Sequence, residues 1–157
     1  MDYMIREMRK EEYCLLEDFL YEAIYVPDGV EPPDKTIIHC PALQEYILDF
    51  GKRKDDKAFV AEIQGNVAGA AWVRIMNDYG HMDDDTPSLA ISVHKGYRGL
   101  GIGTSLLKRL LAAEKSAGYA RVSLSVQKSN RAVKLYADVG FSVVGESDEE
   151  YMMAVNL

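Results

Sequence analysis

Cysteine is nearly absent from this chain. Cys14 and Cys40 in 157 residues are too few for a disulfide framework or a cysteine-ligated zinc site, so an ordinary apolar core must hold the fold. Histidine is also scarce, and His39 and His81 lack partners at ligand spacing, so no metal site is expected. No uninterrupted apolar run approaches the roughly 20 residues of a membrane span. The opening Met1-Asp2-Tyr3-Met4-Ile5-Arg6-Glu7 mixes charge with apolar residues and has no signal-peptide core. A cytoplasmic protein without membrane contact is therefore expected. Basic residues are outnumbered, 18 against 25 acidic, for a net charge of −7. That balance argues against nonspecific binding to nucleic acid, which needs clustered cations to neutralise phosphate, so no nucleic-acid partner is expected. Repeats, low-complexity tracts and linkers are missing too.

What remains fits one domain over residues 1–157, since 48% apolar content at this length can bury a sizeable core. Tyr3–Met8 reads as a strand and Lys10–Tyr25 as a helix with Tyr13, Leu16, Leu20, Ala23 and Ile24 near one face. Tyr25–Pro41 carries Pro27, Pro32, Pro33 and Pro41 and reads as a long loop, the kind that walls or covers a site. Pro41–Phe50 reads as a short helix ended by Gly51, and Ala58–Ile63 with Val67–Met76 as a hairpin turning at Gln64-Gly65-Asn66. Leu89–Val93 is a further strand, and Leu106–Ala117 is a leucine-striped helix. Val122, Leu124 and Val126 alternate with polar residues, as a half-buried strand requires. The helix Arg131–Val139 follows, capped by Ser129 or Asn130 and stopped by Gly140, with Phe141 packing back on its last turn. Phe141–Val144 and Tyr151–Val155 finish as a hairpin. The order β-α-α-β-β-β-α-β-α-β-β predicts a mixed sheet covered by helices.

The most informative stretch is Tyr97-Arg98-Gly99-Leu100-Gly101-Ile102-Gly103-Thr104, a glycine-rich turn between a strand and a helix. Backbone without Cβ can approach a ligand closely, and the unpaired amides and positive dipole end of the next helix attract an anion. Arg98 adds a permanent forked charge. A P-loop is excluded because no lysine precedes Thr104, and the Rossmann fingerprint because the glycines alternate. A strand-to-helix turn that binds nothing remains the other reading of the loop taken alone.

Arg98-x-x-Gly101-x-Gly103 after an apolar strand resembles the acyl-CoA pyrophosphate loop of the GNAT superfamily of N-acetyltransferases. Asn130, Tyr136, Gly140 and Phe141 after the strand at 122–127 are similar to that family's second conserved segment. The resemblance covers about Leu89 to Phe141, and only element order before it. It implies a central mixed β-sheet with helices on both faces and splayed strands that form an acyl-CoA cleft. Acetyl-CoA is then the co-substrate, with Arg98, Gly99, Leu100, Gly101, Ile102, Gly103 and Thr104 on its pyrophosphate. The backbone of Ile91, Ser92 and Val93 lies on its pantetheine arm, and Asn130 and Tyr136 also touch it.

Acetyl transfer needs a held donor, a polarised carbonyl, a deprotonated amine and a proton for the departing thiolate. The resemblance places an oxyanion-stabilising N–H near Val93. It makes Tyr136 the proton donor, a role suited to a phenol whose ordinary pKa is ~10; a tyrosine on that face equally serves the core. Asn130 either bonds CoA or caps its helix. The family commonly places its general base on the strand before the glycine loop, but Leu89–Val93 holds no carboxylate. Asp83, Asp84 and Asp85 lie just upstream, Asp85 nearest the strand, and Asp85 is the expected base. His94 is a second proton acceptor in reach of the strand, or a surface residue. Trp72 and Tyr79 are assigned no role.

The expected function is transfer of an acetyl group to the primary amine of a small molecule or protein, in a monomer or in a homodimer formed through the C-terminal hairpin with Met152 and Met153. The missing strand carboxylate leaves an alternative, a non-catalytic acyl-CoA-binding sensor of the same fold.

Overall fold

The computed structural model describes residues 2–76 and 82–157, so Tyr79 and His81 lie outside the described residues. Seven strands form one sheet in the order β1-β2-β3-β4-β5-β7-β6. They are β1 (Met4–Glu7), β2 (Lys57–Ile63), β3 (Asn66–Arg74), β4 (Ser88–Val93), β5 (Arg121–Gln127), β6 (Ser142–Glu146) and β7 (Glu150–Asn156). The helices are α1 (Leu16–Ala23), α2 (Pro41–Gln44), α3 (Ile102–Ser116) and α4 (Ala132–Asp138). Neighbouring strands run antiparallel except β4 and β5.

Alternation along the central strands builds a core on each face. Phe59, Ala61 and Ile63 of β2 with Ala71 and Val73 of β3 meet Leu106, Leu107 and Leu110 of α3. Ala58 and Val60 with Ala70 and Trp72 face the other way, onto Leu16, Phe19 and Leu20 of α1. The helices therefore lie on both faces, as expected. Trp72 is core, and its indole donates to the Tyr46 carbonyl at 3.2 Å. Met153 is also core, so it offers no surface to a second copy.

The decisive feature is where β4 and β5 part. They share one registered pair, Ser88 with Ser123, although β4 stays paired to β3 as far as Val93 and β5 to β7 as far as Gln127. Both strands keep their outer partners and diverge from each other, which opens the sheet at its centre.

Two α-helices are shorter than their apolar pattern suggests. Lys10–Leu15 is a 3-10 helix, and α1 starts only at Leu16. Pro41–Phe50 is α-helical only to Gln44. For the second, the cause lies in β3. Buried Arg74 takes the carbonyls of Glu45 (3.1 Å) and Leu48 (2.8 Å), which a continued helix would have used itself. Its guanidinium is also paired with buried Asp56 at 2.9 Å. After α4 the expected cap is present. Gly140 at φ +111° donates to the Ala137 carbonyl and Phe141 to that of Tyr136, at 3.1 and 3.0 Å.

Glu114, near the end of α3, is fully buried, and neither carboxylate oxygen has a hydrogen-bond partner among the described residues. Burial pushes its carboxyl up to about 7, against the pull of Lys57. The folded chain therefore holds a proton that the unfolded chain has released, and stability falls as pH rises from about 4.5 to about 7. Glu114→Gln should remove this slope and gain up to about 3 kcal/mol at pH 8 relative to pH 4.5. Urea unfolding at the two pH values checks it; an equal effect at both would refute it.

Candidate active site

The splay of β4 and β5 opens into a cleft of about 1420 Å³. Its walls are the end of β4, the loop 98–104, the start of α4, and α1 with the chain that follows it. The described part of that chain between α1 and α2 includes Tyr25–Val30, Pro32 and Pro33 on the wall, and it contains a 3-10 turn, Lys35–His39.

Backbone geometry at the β4 end follows from one bond. The His94 N–H donates to Ala68 O of the neighbouring strand at 2.9 Å. Because successive groups on a strand point to opposite sides, Ile91 and Val93 turn their N–H and C=O away from β3 into the gap, and Ser92 does not. The Val93 carbonyl accepts from Arg98 Nε at 3.0 Å, so that bond positions Arg98 at the cleft mouth. The Ser92 hydroxyl is buried and has no partner among the described residues.

The glycine turn has the conformation its residues permit. Gly99 and Gly101 sit at φ +82° and +81°, a region that side chains disfavour. Gly101 caps α3, and the first bond inside the helix runs from Ser105 N–H to Gly101 O at 3.1 Å. The amides of Ile102, Gly103 and Thr104 thus have no acceptor within the helix, and they stand at its positive end. At Gly103 a Cβ would meet Leu135 at 3.3 Å, so the glycine lets α3 start close to α4. The Tyr3 hydroxyl bonds Ser105 Oγ at 2.7 Å and braces the turn from the residue just before β1.

Ile91, Ser92, Val93, Arg98, Gly99, Gly101, Ile102, Gly103, Thr104, Asn130 and Tyr136 all line this cleft. Leu100 does not; it is 39% exposed on the outside of the turn. Asn130 Oδ1 accepts from the Ala132 N–H at 2.9 Å, so its carbonyl caps the helix start and its amide NH₂ is left for a ligand. Tyr136 packs edge-on against Phe141 with ring centres 5.9 Å apart, and burial raises its phenol to about 12. A phenol so raised stays protonated through the neutral range.

Asp85 does not join them. It precedes β4, and the strand carries Val93 away by ~3.3 Å per residue to the opposite end of the sheet. Asp85 lies in a separate depression with Asp83, Thr86 and Arg121. There Asp83 is salt-bridged to Arg121, which holds its carboxyl at about 2. The expectation that Asp85 serves as the base is corrected on that ground. His39 is exposed, and no group of metal-ligating side chains is found among the described residues.

Two features of the cleft join residues far apart in sequence. His94 Nδ1 lies 2.9 and 2.8 Å from the two carboxylate oxygens of Glu22 on α1, and its ring stacks on Phe19 at 4.4 Å. Tyr25 reaches across the opening, its hydroxyl donating to the Ser129 carbonyl (3.3 Å) and accepting from Ser129 Oγ (3.0 Å). Sequence reading weighed His94 but missed Glu22, because no spacing rule links residues 72 apart.

Comparison with known proteins agrees with this architecture. The sequence model of the acetyltransferase (GNAT) family matches residues 19–141. An N-alpha-acetyltransferase from Sulfurisphaera tokodaii is 32% identical over 128 residues, 71% of this chain and 76% of that protein. PaiA N-acetyltransferase from Thermoplasma acidophilum, solved in complex with coenzyme A, shares the fold with a TM-score of 0.74 at 19% identity, over 100% of both chains. YncA from Salmonella typhimurium, a putative acetyltransferase solved with acetyl-CoA, superposes with a TM-score of 0.67 at 20% identity, covering 99% of this chain and 94% of that one.

If the turn holds the donor, Gly101→Asp should weaken acetyl-CoA binding at least tenfold by calorimetry, because it sets a negative side chain beside the open amides. Gly118→Asp is the control, a glycine with φ +95° at the far end of α3. It brings the same charge and a similar backbone penalty, and should leave affinity unchanged. Equal losses in both variants would remove the assignment.

Proposed function

Because the chain belongs to the acetyltransferase (GNAT) family and is an acetyl-CoA-dependent acetyltransferase, we propose that it transfers the acetyl group by direct attack of a primary amine, and that this amine is the α-amino group of a peptide or protein. The observation that carries the reading is the single cleft that joins the open amides of α3, the unpaired β4 backbone and Tyr136. Support for the acceptor comes from the similarity to an N-alpha-acetyltransferase. A small polycationic amine is the second reading, favoured by Asp28 on the cleft wall and by the net charge of −7, whose field draws a cation. The catalytic unit is read as one domain over residues 1–157, acting in the cytoplasm.

In this proposal the amides of Ile102–Thr104 and Arg98 take the pyrophosphate, and the net charge of −7 makes that local field necessary, since the protein as a whole repels an anion. The inward N–H and C=O of Ile91 with the N–H of Val93 bond the pantetheine amides as an added strand would, and the Val93 N–H faces the thioester oxygen. The thiolate leaves toward Tyr136, whose phenol gives it a proton.

Tyr136→Phe should lower kcat by ~100-fold, the usual worth of a positioned acid, with the KM for acetyl-CoA within about threefold of wild type. An unchanged kcat would return Tyr136 to a packing role. The acceptor is tested by CoA-thiol release with three amines: a lysine-free peptide with a free N-terminus, the same peptide N-blocked with one internal lysine, and a linear polyamine. The free N-terminal peptide should turn over fastest; preference for the polyamine would replace it with the second reading.

A further inference from the structure

His94 and Glu22 meet at the point in the cleft where the reaction lacks a group. We infer that His94, held by Glu22, takes the proton from the attacking amine. This rests on the acetyltransferase reading and supplies the base that the β4 strand does not carry.

Position comes first. His94 directly follows Val93, and side chains alternate across a strand. The Val93 side chain packs into the core on the α3 side. The His94 ring stacks on Phe19, which belongs to the core on the α1 side. A thioester bound along the β4 backbone therefore has the imidazole one residue away and on the face opposite α3. An amine entering beside α1 would pass the ring before it reached the carbonyl carbon.

Orientation comes next. An ionised carboxylate can only accept, so the Nδ1 that lies within 2.9 Å of both Glu22 oxygens carries the ring proton. Nε2 is then the atom with a free lone pair, and it has no hydrogen-bond partner among the described residues. Glu22 fixes the tautomer and stabilises the imidazolium that forms, the part played by the carboxylate in other base dyads. The main chain is anchored as well, through His94 N–H to Ala68 O. Both side chains are 32% exposed, enough to meet a substrate and to exchange the proton with water afterwards.

Other charges near the ring are already engaged or turned to other work. From α1, Asp18 is paired with Lys35 at 2.9 Å. From the turn after β4, Arg98 is held on the Val93 carbonyl, and Lys95 adds one exposed-side cation. Glu22 itself is committed to Nδ1.

In the step itself the nitrogen lone pair of the neutral amine forms the C–N bond and the C–S bond breaks. One N–H proton goes to His94 Nε2, and the Tyr136 phenol proton goes to sulfur. The imidazolium then returns a proton through solvent to the phenolate, leaving the amide, CoA thiol and the enzyme as it began.

The test uses the full chain and whichever of the three amines turns over fastest, so a wrong acceptor class cannot be mistaken for a wrong base. His94→Ala should lower kcat at least 100-fold with acetyl-CoA affinity within twofold of wild type. Added imidazole should restore at least tenfold, in proportion to its free-base concentration. Glu22→Gln, which keeps an acceptor but removes the charge, should lower kcat about tenfold at unchanged acetyl-CoA affinity. A His94→Ala enzyme within threefold of wild type would overturn the inference. So would a loss that imidazole does not repair, since a purely structural histidine is not replaced by a diffusing ring.

Discussion

The parting of β4 from β5 after Ser88 and Ser123 is the constraint on which everything functional depends. A central strand pair that stayed hydrogen-bonded would satisfy its own backbone and leave no room for a ligand. Here Ile91 and Val93 present polar main-chain groups to a cleft instead, held in place by β3 on their other side. Unpaired backbone groups in a protein interior are costly, so the opening is a feature that a bound chain of amides would relieve.

The rest of the molecule holds that opening steady. On one face α3 packs its leucines across β2, β3 and β4, which fixes where its N-terminus points. On the other face α1 brings Phe19 and Glu22 to the β4 end. Farther out, the buried Arg74–Asp56 pair ties the segment after α2 to β3. Arg6 holds Glu12 with two bonds of 2.8 Å and keeps its carboxyl at about 2, which fixes the chain leading into α1. Rigid outer pairs and an unpaired centre divide the polar groups between support and work. In the proposed reading an acidic protein binds an anionic donor because the attraction is confined to a few amides and one arginine.

Much of this was legible in the sequence wherever the cause is local. Alternation from Val122 to Val126 marks β5, Gly140 and Phe141 mark the end of α4, and Gly99 and Gly101 mark a turn that needs positive φ. The glycine turn, the β4 backbone, Asn130 and Tyr136 meet in one cleft because short strand-to-helix units put them there. What stayed hidden depends on contacts across the sheet. Arg74 shortens the helix after Pro41 by taking its carbonyls, and no local pattern announces that. Asp85 is near the strand in sequence but at its wrong end in space, since proximity along a β-strand means distance along the sheet. Glu22 with His94, Tyr3 with Ser105, and Tyr25 with Ser129 are brought together only by the complete fold.

The central claim, that the donor completes the backbone of an interrupted sheet, is tested most directly by amide hydrogen exchange resolved residue by residue with and without acetyl-CoA. The account predicts new protection at Ile91, Val93 and Ile102–Thr104, with Ser92, which faces β3, unchanged. Protection that bypasses Ile91 and Val93 while acetyl-CoA is bound would contradict it.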